Sequence, residues 1–235
     1  LRNQKDLTQI PFVTIDGQDS RDFDDAVWCE NKGNLTRIMV AISDVSFYVK
    51  RNDPLDIEAR KRGNSFYFPD RVISMFPDEI STDICSLVPC KTRPCIVVEI
   101  KIKNLRILNF NIHRAKIKSV ARLTYNEVEE IFVKNLKSNK YYNLIRNLFQ
   151  TYNVLKQISK NRNKINFFTN EFEISNDLED NFSFKKKKRL TSYKIIEEFM
   201  IIANETIAKY LKSNNLSSIF RNHEKPKDEK IKKLK

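Results

Sequence analysis

The chain has 235 residues, 40% hydrophobic and 31% charged, which is enough to bury a core and excludes a disordered polyelectrolyte. Its net charge of +13, from 43 Lys plus Arg against 30 Asp plus Glu, favours polyanion partners, chiefly nucleic acid or an anionic membrane. A composition rich in Lys, Asn and Ile throughout yields the same excess without any function.

In chain order, Val- and Ile-rich runs at 11–16, 26–30 and 37–42 predict short strands. A helix is predicted over 54–62: Asp53 suits the N-cap, Pro54 the first helical position, and Gly63 the stop. Two longer strands are predicted at 95–103 and 106–114, joined by a turn at 103–105. Thr124 and Glu127 form a Ser/Thr-x-x-Glu capping box ahead of Val128, Ile131 and Phe132. Amphipathic helices are predicted at 141–159 and 192–212, with a surface loop at 176–189 between them. There is no internal repeat. The expected fold class is α+β, one unit with a mixed β-sheet core and packed helices, β-rich over 1–120 and mainly helical over 121–235.

Only 3 glycines argue against a Gly-rich phosphate loop. No apolar run nears the roughly 18 residues that span a bilayer, and no secretory leader is seen, so a cytoplasmic protein with no membrane role is expected. Cys29, Cys85, Cys90 and Cys95 lack a C-x-x-C pair and are expected to be reduced structural thiols rather than disulfides or zinc ligands.

One stretch departs from the basic background. Asp16, Asp22, Asp24 and Asp25 fall within ten residues, with Asp19 between them. Carboxylates at that density repel one another, and burial would raise their pKa values unless a cation joined them. A turn between Asp16 and a strand beginning near Phe23 lets the first and last acids approach a common point. Hard oxygen ligands held by few side chains suit Mg²⁺, with Mn²⁺ as the other candidate. Two such ions about 4 Å apart would activate water and steady the leaving oxygen in phosphodiester cleavage. An EF-hand is excluded, because a loop starting at Asp16 would place Arg21 where glycine is needed and Val27 where glutamate is needed. The competing explanation is a solvated acidic turn, but Phe12, Val13, Ile15, Phe23, Ala26, Val27 and Trp28 surround the acids with core material.

The run TIDGQDSRDFDDAV at 14–27 resembles the signature of the catalytic RNB domain of the ribonuclease II/R exoribonuclease family. Further segments agree in order: VAISDVS at 40–46, RGNSFYFP at 62–69, LVP at 87–89, ARLTY at 121–125, IEEFM at 196–200 and FRNHEKP at 220–226. The likeness leans to the bacterial ribonuclease R side of that family and covers roughly the first two thirds of the domain. It implies processive 3′→5′ hydrolysis of single-stranded RNA to nucleoside 5′-monophosphates, with Mg²⁺ at Asp16, Asp22, Asp24 and Asp25, which align with the family's metal and catalytic acids. Tyr67 aligns with an aromatic that stacks on the 3′-terminal end of the RNA. Tyr125 and Glu198 (or its neighbour Glu197) fall in segments that line the RNA channel.

Each of these has a plainer alternative. Phe66, Tyr67 and Phe68 include core residues of a strand, Tyr125 is part of the capping box, and the glutamates could face solvent. His113 and His223 are expected to be structural or surface residues. The basic run at 185–189 is either a solvated loop or a non-specific phosphate contact. The family also carries cold-shock-type and S1-type folds, and a later arginine segment that helps hold the scissile phosphate. None of these falls within residues 1–235, so activity is expected to need a second chain or a C-terminal continuation. The alternative is a catalytically inactive remnant or a non-catalytic RNA-binding fragment.

Overall fold

The computed structural model describes residues 4–68, 71–160, 172–176, 182–186, 188–219, 224 and 226–232. Its strands are β1 (Lys5–Asp6), β2 (Val13–Asp16), β3 (Asp25–Lys32), β4 (Leu35–Ser43), β5 (Phe66–Tyr67), β6 (Val72–Ile73), β7 (Thr92–Lys103), β8 (Arg106–Lys118), β9 (Ala121–Thr124), β10 (Phe172–Asn176) and β11 (Phe182–Lys186). Its α-helices are α1 (Val45–Tyr48), α2 (Pro54–Arg62), α3 (Tyr125–Val133), α4 (Tyr142–Lys160), α5 (Thr191–Ser213) and α6 (Asp228–Lys232), with a wide π-type turn at Glu79–Ile84.

Seven strands form one mixed sheet in the order β1-β8-β7-β4-β3-β2-β9. The centre, β3 to β8, is an antiparallel meander, whereas β9 returns alongside β2 in parallel and β1 lies parallel to β8. Because side chains alternate across a strand, the sheet has two buried faces. One packs Val27, Val40, Val98 and Ile100 against Ile145, Leu148 and Phe199 of the helices α4 and α5. The other packs Ala26, Met39, Ala41 and Val97 against Leu7, Phe12 and Leu87, contributed by the N-terminal segment and the loop before β7. This is the α+β, mixed-sheet architecture expected from the sequence.

Local signals held where they were strongest. The Asp53 side chain accepts from the Asp56 N–H at 2.8 Å, and Gly63 ends α2 at φ +78°. Both halves of the Thr124–Glu127 capping box are formed. Asn104 and Leu105, at φ +50° and +60°, make the tight turn between β7 and β8, where a two-residue hairpin requires both to be left-handed.

Two expectations are corrected. The region expected as a surface loop at 176–189 contains β11 and the end of β10, paired antiparallel with Ile174 opposite Phe184. The alternation of Phe172 with Ile174, and of Phe182 with Phe184, is a period-2 signal masked by the charged residues around it. The second strand of the acidic region begins at Asp25, not Phe23, so residues 17–24 form an irregular loop. His223 and most of the 220–226 segment lie outside the described residues. His113 is half-buried on β8, its Nε2 3.1 Å from Lys5 Nζ and 3.6 Å from Glu99 Oε2. All four cysteines are free; Cys29 and Cys95 are buried, and burial pushes each thiol up to about 12.

Candidate nuclease site

Asp16 is the last residue of β2 and Asp25 the first of β3. The two strands share one registered pair, Val13 with Val27, and then diverge, leaving room for the acidic loop between them. On its other side Asp16 pairs with Thr124, the N-cap of α3, so the start of that helix stands beside the acids.

The loop is tied down at both ends by residues distant in sequence. Arg122 on β9 donates from Nη2 to the carbonyls of Gly17 at 2.7 Å and Gln18 at 2.6 Å, and its guanidinium lies 5.7 Å from the centre of the Phe23 ring. At the far end the Phe23 N–H donates to the hydroxyl of fully buried Ser86 at 2.9 Å, and the Leu87 N–H donates to the Phe23 carbonyl at 2.8 Å. The Ser43 N–H donates to the Asp24 carbonyl at 2.8 Å, while its hydroxyl donates to the Cys85 carbonyl. A segment of eight residues without regular structure is thereby fixed through its main chain rather than through its carboxylates.

The acids feel one another. Burial, then the charge of Asp25, raises Asp16 from 3.8 to about 7, against a smaller opposing pull from Arg122. Asp25 is raised to about 6, by burial and then by Asp24. Asp24, whose side chain reaches solvent, is also raised, by the surrounding wall and then by Asp22. Among the described residues no three acidic, histidine or cysteine side chains close into a metal cage. The donor set nevertheless fits a hydrated divalent ion: hard oxygens, mutually repelling and short of positive charge, of which Mg²⁺ needs only one or two besides its waters.

Beside the acids a cleft of about 900 Å³ opens, lined by the loop from Gly17 to Asp22, the β5–β6 hairpin, the π-type turn and the start of α5. Of the four acids Asp22 lines it, and the Tyr67 hydroxyl donates to Asp22 Oδ2 at 3.2 Å. Tyr67 is 69% exposed, so one ring face is available to a ligand while the hydroxyl is held at the acids.

Tyr125 opens α3, half-buried; burial, then Asp16 and Asp25, hold its phenolic proton more tightly than usual. Glu198 is placed elsewhere: it is 5% exposed and accepts from the Ser159 hydroxyl at 3.2 Å, between α5 and the end of α4. Glu197 is exposed on α5. From the basic run, Lys188 lines the cleft, while Lys187 lies outside the described residues.

Sequence reasoning missed Arg122, Ser86 and Tyr193. Tyr193 lines the cleft, and its ring centroid is 4.2 Å from that of Tyr125 at 33° between planes. None carries a local signal, because each acts across 60 or more residues of sequence, as the Ser86–Phe23 separation of 63 and the Arg122–Gly17 separation of 105 show.

The model of the RNB domain matches residues 4–235. Ribonuclease R of Escherichia coli strain K12 is 40% identical over 233 residues, covering 96% of this chain and 29% of that protein. Ribonuclease R of Buchnera aphidicola from Acyrthosiphon pisum is 37% identical over 246 residues, covering the whole chain and 33% of the relative. Among solved structures, RNase R of Mycoplasma genitalium in complex with ribose-methylated single-stranded RNA superposes with a TM-score of 0.91 at 30% identity, covering 100% of this chain and 37% of that one. The chain thus spans about a third of the length of the curated relatives it matches. With the family model matched over residues 4–235 and the same fold in a solved relative, the chain belongs to the RNB domain family.

Proposed function

We propose that this chain is the acid-bearing part of a metal-dependent 3′→5′ exoribonuclease, which hydrolyses single-stranded RNA to nucleoside 5′-monophosphates in the cytoplasm. The observation that carries the reading is the set of carboxylates Asp16, Asp24 and Asp25, raised by burial and by one another, beside an aromatic cleft in a basic protein. Asp16, Asp22, Asp24 and Asp25 would hold Mg²⁺ or Mn²⁺, which when bound supplies an activated water and neutralises charge on the transferring phosphate. The chain's own residues do the rest. Arg122 and Ser86 hold the acidic loop in place, and Tyr67 offers a π-face that accepts any base, as a sequence-tolerant enzyme requires. That the Mycoplasma genitalium relative was solved with ribose-methylated single-stranded RNA and with double-stranded RNA supports RNA as the ligand.

The chain would work as a partial catalytic unit, with cold-shock-type and S1-type folds and an arginine-bearing segment supplied by a longer polypeptide or a second chain. No helix among the described residues is long and apolar enough to cross a membrane. A second reading, an RNA-binding unit without catalysis, keeps the basic charge and the aromatic cleft without the metal.

End-labelled RNA separates these readings. With Mg²⁺, 3′-labelled single-stranded RNA should release its label at once as mononucleotide, while 5′-labelled RNA shortens progressively. Binding without shortening would favour the second reading, and release from the 5′ end would refute the polarity.

A pH effect follows from the acids. Asp16 and Asp25 titrate in the folded chain near 7 and 6, above the 3.8 of the unfolded chain, so the fold holds protons that the unfolded chain has lost. Their contribution to metal-free stability is therefore fully present below 3.8 and is lost as pH rises through about 7. Because Mg²⁺ or Mn²⁺ competes with those protons, the melting-point gain from added metal should be larger at alkaline than at acidic pH. Thermal melts with EDTA or with metal across this range test it, and a pH-independent gain would place the metal elsewhere.

A further inference from the structure

We infer that Tyr193, at the start of α5, forms a second stacking wall of the cleft and contacts a nucleobase of the bound RNA. This rests on the exoribonuclease reading only in requiring that RNA enters this cleft. Three observations carry it. Tyr193 lines the cleft and Tyr125 does not, so an incoming base meets the α5 ring first. The Tyr125 ring supports it from behind, the two rings in close contact at 4.2 Å between centroids and tilted by 33°. The start of α5 is also fixed: the Ser192 hydroxyl donates to the Tyr125 carbonyl at 2.8 Å and the Ser192 N–H to Glu129 Oε2 at 2.9 Å. The ring is therefore already ordered, and less side-chain entropy is lost on binding.

The cleft's other lining residues suit a nucleotide chain. Tyr67 and Phe68 stand on the hairpin side, and Arg21, Arg71 and Lys188 set positive charges among the lining acids Asp19, Asp22 and Asp78. Arg71 lies 5.2 Å from the centre of the Phe68 ring. Cations beside aromatic faces are the combination that single-stranded nucleic acid takes: phosphates on the charges, bases on the rings.

The test uses the full chain in EDTA, so that no cleavage intervenes, with a short oligoadenylate carrying 2-aminopurine at its 3′ end. Binding to the wild type and to Tyr193→Phe should quench the probe. Tyr193→Leu should lose a large part of that quench and bind roughly tenfold more weakly, the effect of one lost base stack. Equal affinity and quench in Tyr193→Leu would overturn the proposal while leaving the exoribonuclease reading intact. A wild type that binds no RNA would remove that reading and the proposal with it. Should Tyr193→Leu not fold, Tyr193→Trp in a Trp28→Phe background gives an independent readout. Its indole emission should fall on RNA addition, and an unchanged emission would overturn the contact.

Discussion

Replacing Asp24 by asparagine is expected to cut mononucleotide release from labelled single-stranded RNA by at least about a hundredfold, the scale at which a preorganised charge in the site acts on the transition state. The change keeps the shape of the side chain and the main-chain contact from the Ser43 N–H to the Asp24 carbonyl, so the loop stays in place. It removes one anion from a group in which burial and Asp22 already disfavour the charge. The melting point of the metal-free variant should accordingly equal or exceed that of the wild type, while its gain on adding Mn²⁺ shrinks. Loss of turnover with a higher melting point is a signature that misfolding cannot mimic. Unchanged release from Asp24→Asn, in a preparation whose wild type is active, would refute the metal role of this residue.

The second large effect is expected at Arg122. Arg122→Ala deletes two charge-assisted hydrogen bonds, to the carbonyls of Gly17 and Gln18, and withdraws positive charge from beside Asp16. Charge-assisted bonds are individually strong, and the combined loss should be about 3 kcal/mol, or roughly 6–12 °C in melting point for a chain of this size. Turnover should fall as well, because the first acid and the loop that follows it lose their strap. Arg122→Lys should recover only part of both, since an ammonium lacks the planar fork that presents several N–H groups at fixed geometry. Thermal melts of the two variants beside the wild type decide it. A melting point within about a degree of wild type in Arg122→Ala would show that the loop is held chiefly from its Ser86 end.

The two ends of the acidic loop also explain why the site is built on distant elements. A loop of alternating acid and turn residues has no internal reason to hold its carboxylates together, since they repel. Proximity is imposed from outside, by a β9 arginine on one side and the Ser86–Leu87 segment on the other. The sheet supplies the frame. Parallel pairing of β2 with β9 places Thr124 beside Asp16, so α3 begins at the acids, and Ser192 then fixes the start of α5 against Tyr125. The capped helix α3 and the amphipathic helix α5 thus deliver Tyr125 and Tyr193 to one place.

What was legible in the sequence was whatever acts within a few residues: the Asp53 cap and Gly63 stop of α2, the Thr124–Glu127 capping box, the turn at Asn104 and Leu105, and the density of acids from Asp16 to Asp25. Each is a short-range preference of backbone or side chain, and so survives in any fold. The tertiary structure alone decided that the acidic loop begins the strand β3 at Asp25, that Glu198 turns inward to Ser159, that Arg122 and Ser86 strap the loop, and that Tyr193 faces the cleft. Those outcomes depend on which strands become neighbours across a hundred residues of chain, a matter of global packing that no local pattern encodes.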